Sequence, residues 1–137
     1  MNRNDFQQIA EIRLREADAL LHAGMANGAY YLAGYAVECA LKACIAKRTS
    51  EHDFPEREAR DYYSHDLEKL LGFARLRDAL QLAFQADLSM EKRWTIVLGW
   101  SEASRYVRNR TAEEAIELLA AIEDSTGGVL PWLRKLW

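Results

Sequence analysis

The sequence predicts an all-α fold: an antiparallel bundle of four to five helices with short extra helices. Nearly every segment repeats apolar residues at helical period, and we see neither an alternating strand pattern nor an internal repeat. Only two prolines and seven glycines interrupt the 137 residues. Half of the residues are hydrophobic and 28% are charged, which is typical of a globular protein with a core. The length predicts one domain over residues 1–137.

Two long helices are predicted over residues 4–22 and 29–48. The first has one apolar stripe, formed by Phe6, Ile9, Ala10, Ala17, Leu20 and Leu21. Gly24 and Gly28 are expected to bracket a short turn between the two helices. A polar, aromatic loop over residues 49–63 follows, and it contains Pro55. Connections of that length tend to be functional or mobile.

The shorter helices are predicted from their caps. Ser64 is the expected cap of a third helix, which has Asp66 and Glu68 in its first turn, where the helix dipole favours acids. Residues 77–85 have helical period, and Ser89 is expected to begin a helix through residue 98.

The last part of the chain has the strongest capping pattern. Thr111 and Glu114 form a capping box, which predicts a helix over residues 112–124. Gly127 and Gly128 end that helix. Pro131 suits the first position of a final short helix.

Charge and cysteine content restrict the classes of function. The net charge of -3 and the pI near 5.6 disfavour general coating of nucleic acid or membrane, although they allow a local basic patch. Cys39 and Cys44 lie five residues apart on one helix and point in different directions, so we expect both thiols to be free. With no signal peptide at the N-terminus, reduced thiols predict a cytoplasmic protein. Residues 28–46 contain Glu38 and Lys42, so they predict a buried helix rather than a membrane span.

Four residues form a polar stripe on the second helix: Tyr31, Tyr35, Glu38 and Lys42, spaced by four, three and four. The rest of this helix is small and apolar, which places Glu38 in a partly buried position where it needs a partner. Lys42 and Arg13 are the two candidates. Three interpretations stay open: a buried hydrogen-bond network, the floor of a ligand pocket whose tyrosines stack on a base, and a dimer interface.

Four stretches, taken in order, resemble one family. They are "GAYYLAGYAVECALKACIAKR", "YSHDLEKLL", "WSEASRY" and "GVLPWLRKLW". Together they are similar to HEPN domains (higher eukaryotes and prokaryotes nucleotide-binding), over most of the chain. The resemblance implies a helical bundle that forms homodimers and is often encoded beside a minimal nucleotidyltransferase. It also implies a role in toxin–antitoxin or defence systems, and some branches are metal-independent ribonucleases.

The ribonuclease branches of that family carry an arginine, four to six residues, and a histidine near the start of a late helix. Such a histidine moves protons at the 2′-OH and leaving oxygen, while the arginine holds the phosphate. Two pairs have this spacing here, Arg60 with His65 and Arg15 with His22. Arg15 and His22 lie on the polar face of the first helix and are expected to be solvated. His65 is either a capping residue beside Ser64 or a polar group that faces a cleft under the long loop and works with an arginine.

The corresponding late stretch, "RYVRNRTAEEA", has arginines and no histidine within reach, which departs from the ribonuclease pattern. Arg105, Arg108 and Arg110 lie ahead of a capped helix, where backbone N–H groups and guanidinium groups favour an anion. Tyr106 is placed to stack or to donate a hydrogen bond. The alternative is that these arginines pair with acids such as Glu102, Glu113 and Glu114.

Three hypotheses follow from these patterns. The first is a binding module that holds a nucleotide or RNA, or docks on a nucleotidyltransferase, through residues 105–110, with His65 as a further candidate. The second is a metal-independent ribonuclease that uses His65 with Arg60 or Arg105. The third is a structural interaction protein that dimerises through the polar stripe and Trp132 and Trp137. We expect no metal site and no cofactor, because the histidines and cysteines share no ligand spacing.

Overall fold

The computed structural model of the chain describes residues 1–52 and 63–137, with only the backbone for residues 50–52. This part of the chain is all-helical and contains no strand, so the predicted helical bundle is confirmed. The α-helices are α1 (Arg3–His22), α2 (Ala26–His52), α3 (Leu67–Phe73), α4 (Arg77–Ala86), α5 (Leu88–Leu98), α6 (Ala112–Glu123) and α7 (Val129–Arg134). A 3-10 helix, Glu102–Tyr106, lies between α5 and α6.

Helix α2 is the central element of the bundle. It packs most extensively on α1 and also contacts α3, α6, α7 and the 3-10 helix. Its buried positions include a series of small residues, Ala33, Ala36, Ala40 and Ala43. Small side chains let the neighbouring helix backbones approach closely. The polar stripe of α2 therefore lies among several elements rather than on an isolated surface.

The turn between α1 and α2 is shorter than predicted. Gly24 adopts a positive φ of 77°, and the N–H of Met25 donates to the carbonyl of Leu20 at 2.8 Å. Gly28 therefore lies inside the first turn of α2 and does not bracket the connection. A Cβ at this position would stand 3.0 Å from Cδ1 of Leu20, so glycine lets α1 and α2 close on each other.

The predicted start of the long loop was also wrong, because α2 continues through residues 49–52. Pro55 and Arg60 lie outside the described residues.

Two predicted caps are replaced by a neighbouring aspartate. Asp66, not Ser64, caps α3 and accepts from the N–H of Lys69 at 3.1 Å. The hydroxyl of Ser64 instead accepts from the N–H of Asp66 at 3.2 Å. Asp87 caps α5 in the same way and accepts from the N–H of Ser89 at 2.9 Å. In both cases the aspartate has the extended backbone that a cap requires.

The predicted start is confirmed for α6 but not for α7. The capping box of Thr111 and Glu114 is confirmed at the start of α6. Helix α7 begins at Val129, two residues before the predicted Pro131, because Val129 and Leu130 are fully buried and belong to its first turn. Pro131 is tolerated there because the N–H groups of a first turn have no partner within the helix.

Within the described ranges, no helix is long and apolar enough to cross a bilayer. Cys39 and Cys44 are buried and free, as predicted. Burial raises the pKa of both thiols to about 12, which makes them poor nucleophiles at neutral pH.

Candidate functional site

The tyrosines of the polar stripe form an aromatic row with Trp100. The rings of Tyr31 and Tyr35 stack with centroids 6.1 Å apart, and Trp100 stacks on Tyr31 at 6.2 Å. The indole Nε1 of Trp100 also donates to the carbonyl of Tyr31 at 3.1 Å. Gly34 makes room for this indole, because a Cβ there would lie 2.2 Å from Trp100 Cγ. The row fixes Trp100 against α2.

Glu38 is the centre of a buried charge cluster. Its side chain is fully buried, and its Oε1 accepts from the ammonium of Lys42 at 2.8 Å. The same oxygen lies 2.8 Å from Nδ1 of His65. Buried carboxylates are tolerated when they are paired and hydrogen-bonded, and two partners on one oxygen meet that need. The second oxygen, Oε2, has no hydrogen-bond partner in the described part of the chain.

His65 connects this cluster to the 3-10 helix. Its Nε2 lies 3.1 Å from Oε2 of Glu102, so the imidazole bridges two carboxylates. The histidine side chain is 44% exposed and borders a cavity of about 480 Å³. The cavity is lined by Ser64, His65, Asp66, Leu67, Glu68, Leu98, Trp100, Ser101 and Glu102. Among the lining residues that the structure describes there are three carboxylates and neither lysine nor arginine, and these described residues by themselves disfavour a phosphate group.

The start of the arginine segment is held beside the aromatic row. The Arg105 guanidinium lies 4.9 Å from the centre of the Tyr106 ring. Hydrogen bonds to the side chains of Tyr106 and Tyr31 raise the pKa of Arg105. Residues three apart eclipse in a 3-10 helix, which puts Arg105 on the same side as Glu102. Arg105, Tyr106 and Arg108 are all exposed.

Arg110 has a different environment from the other two arginines. It forms an ion pair with Glu114 at 2.7 Å, and its guanidinium lies 3.9 Å from the centre of the Tyr30 ring. Its backbone N–H donates to Oδ1 of Asn27 at 2.9 Å. These contacts tie the chain before α6 to the start of α2. Of the three arginines, Arg110 is the one that pairs with an acid, as the alternative interpretation predicted. Its partner, Glu114, is one of the acids named there.

The N-terminus of α6 is not open to an anion in the manner expected. Glu114 accepts from the N–H of Thr111 at 3.4 Å, and Thr111 accepts from the N–H of Glu114 at 3.1 Å. The hydrogen bonds from Arg110 and Thr111 lower the pKa of the Glu114 carboxyl. The Glu114 carboxylate thus already occupies the positive end of the helix dipole, and it would repel a phosphate at this position.

The other candidate residues lie apart from this region. Arg15 and His22 are exposed, and Nδ1 of His22 lies 2.7 Å from the carbonyl of Asp18. Arg13 pairs with Glu16 at 2.6 Å, which makes the alternative partner proposed for Glu38 wrong. Arg60 lies outside the described residues, so its relation to His65 stays a prediction.

The polar stripe is largely covered by the chain itself. Glu38 and Lys42 are buried, whereas Tyr31, which stacks on Trp100, and Tyr35 are half-buried. Of the three interpretations of the polar stripe, the buried hydrogen-bond network therefore applies to Glu38 and Lys42. Glu102 was expected only as a partner for the arginines, and the sequence carries no local signal that pairs it with His65.

In the described ranges, no group of three or more His, Cys, Asp or Glu residues is arranged to hold a metal ion. Comparisons of the chain with models of protein families, with curated proteins and with solved structures give no match. The similarity to HEPN domains therefore stays a prediction.

Proposed function

We propose that this chain is a HEPN-like module that binds RNA or nucleotide phosphates through an exposed surface formed by Arg105, Tyr106 and Arg108. One observation carries the proposal. In the part of the chain that the structure describes, neither Arg105 nor Arg108 has a carboxylate within 4 Å, and both flank a tyrosine that is 72% exposed. Unpaired guanidinium groups beside an exposed ring suit a phosphate and a stacked base.

The position of Arg105 supports this role. Its guanidinium lies 4.9 Å from the centre of the Tyr106 ring, and this contact restricts a long side chain that would otherwise lose more rotamer freedom on binding. A phosphate ligand would therefore meet a guanidinium that is already oriented.

The wider biological setting is inferred from the resemblance alone. HEPN-like proteins form homodimers, dock on nucleotidyltransferases and act in toxin–antitoxin or defence systems, and we propose the same for this chain. A dimer would present two copies of the arginine surface to one RNA strand. The buried Glu38 and Lys42 leave little of the polar stripe for a partner, so we place the interface elsewhere.

The test is fluorescence anisotropy of a labelled single-stranded RNA with three proteins. They are wild type, the double variant Arg105→Ala/Arg108→Ala, and the control Arg15→Ala/Lys92→Ala, which removes two exposed cations from other helices. We expect the first double variant to bind at least about tenfold more weakly than the control, because each charge-assisted contact contributes about 1.5–3 kcal/mol. Equal binding by the two double variants would reject the surface.

A second candidate function, a metal-independent ribonuclease, is favoured by the contact between Glu38 and His65. A buried carboxylate on Nδ1 orients an imidazole, and Nε2 is then the nitrogen that exchanges protons with a substrate. RNA would have to displace Glu102 from Nε2, and Arg105 or Arg60 would hold the phosphate.

An RNA cleavage assay in EDTA separates the two candidates. The ribonuclease predicts cleavage by wild type that disappears in His65→Ala and persists in His22→Ala. If wild type binds RNA without cleaving it, the ribonuclease is rejected and the proposal of a binding module is retained.

A further inference from the structure

A second cavity lies between α1 and α2, next to Lys42, the buried partner of Glu38. Its volume is about 510 Å³, within the range of small-molecule sites. It is lined by Met1, Phe6, Ile9, Arg13, Tyr35, Cys39, Lys42, Ala46 and Tyr63. Most of this lining is apolar or aromatic, and the charged side chains among the described lining residues are the two cations Arg13 and Lys42.

The ammonium of Lys42 has unused hydrogen-bonding capacity. Its side chain is only 10% exposed, yet a lysine carries three N–H donors. In the described part of the chain it donates to one acceptor, Oε1 of Glu38. A buried ammonium with spare donors that lines an apolar cavity is costly unless an acceptor enters the cavity.

Arg13 adds a second positive charge to the same cavity. It donates to Glu16 through Nη1, which leaves its other N–H donors free of any acceptor in the described ranges. The acids that balance these cations, Glu16 and Glu38, do not line the cavity. A molecule inside it therefore meets the cations first.

We infer that this cavity binds a small organic anion whose carboxylate, or a similar acidic group, is carried on an apolar or aromatic body. The acidic group would accept from Lys42 and Arg13, while Phe6, Ile9 and Tyr35 would cover the apolar part. The inference does not depend on the Arg105 surface, because none of the residues of that surface lines this cavity.

Ligand binding in this cavity would also change the contact between His65 and Glu38. Lys42 and His65 share Oε1 of Glu38, so an anion that draws the ammonium away leaves this oxygen to the imidazole. The cavity and the His65 cavity are thus joined by a single carboxylate.

The test uses the fluorescent aryl sulfonate 8-anilinonaphthalene-1-sulfonate with the full chain. We expect saturable binding by wild type, displacement by octanoate, and no displacement by octyltrimethylammonium, which has the same chain length and opposite charge. Lys42→Met should weaken probe binding at least about tenfold, while Lys92→Met, at an exposed position, should not change it. A variant that loosens into a molten globule would bind more of the probe, whereas a variant that unfolds completely would lose its helix content.

Arg13→Gln is a second variant, and because Arg13 is about one-third exposed it is not expected to disturb folding. Helix content from circular dichroism checks both variants. The inference is overturned if wild type gives no saturable binding or if octanoate and octyltrimethylammonium compete equally. It is also overturned if the folded Lys42→Met and Arg13→Gln proteins both bind like wild type.

Discussion

Nδ1 of His65 lies 2.8 Å from Oε1 of Glu38, and this contact joins the loop before α3 to the buried face of α2. The two residues are 27 positions apart in the chain. The contact gives Glu38 a second partner besides Lys42 and fixes which nitrogen of His65 faces outward. Both the candidate ribonuclease chemistry and the coupling between the two cavities depend on it.

Glu38→Gln should destabilise the fold strongly. The substitution removes a buried negative charge and leaves the Lys42 ammonium without a counter-ion, which costs about 3–5 kcal/mol. Urea denaturation monitored by circular dichroism measures this free energy of unfolding. Glu16→Gln is the matched control, because its pair with Arg13 is partly exposed and should contribute less than about 1 kcal/mol. Equal losses in the two variants would mean that the buried cluster adds no special stability.

Gly34→Ala should disrupt the packing of Trp100 on α2. The added Cβ would lie 2.2 Å from a rigid indole, so either the ring or the helix must move. We expect a loss of about 1–3 kcal/mol in urea denaturation, although alanine is the better helix former.

Gly28→Ala is the control for this change, since its Cβ meets only the flexible end of Leu20 at 3.0 Å. A Gly34→Ala protein as stable as Gly28→Ala would show that the indole is not held where we describe it.

The stability of the fold should depend on Glu123 near neutral pH. Burial and a hydrogen bond to Asp18 raise the pKa of Glu123 to about 7. The protonated carboxyl therefore stabilises the folded state. This contribution is complete below the pKa of a carboxyl in the unfolded chain, about 4.3, and is lost as pH rises through about 7.

Thermal unfolding between pH 5 and 8 tests this expectation. The midpoint of wild type should fall over that range, and Glu123→Gln should reduce the fall. Glu117→Gln, an exposed position on the same helix, should leave the wild-type profile unchanged. A profile that is the same in wild type and Glu123→Gln would assign the pH dependence to other groups.

Local signals predicted the helices better than the contacts between them. The capping box of Thr111 and Glu114 is complete within four residues, so the sequence shows it directly. Asp66 replaced Ser64 as a cap because the choice depends on the backbone angles of the connecting segment, which the sequence does not specify. The partners of His65 come from α2 and the 3-10 helix, and no periodicity links such distant positions.

The salt dependence of RNA affinity tests the proposed Arg105–Arg108 surface most directly. Each phosphate contact on a single strand contributes a slope of about -0.7 to log K against log salt. Arg105→Ala/Arg108→Ala should therefore reduce the magnitude of the slope by about 1.4, while Arg15→Ala/Lys92→Ala should leave the wild-type slope unchanged. The same slope in all three proteins would contradict the proposal that these two arginines hold RNA phosphates.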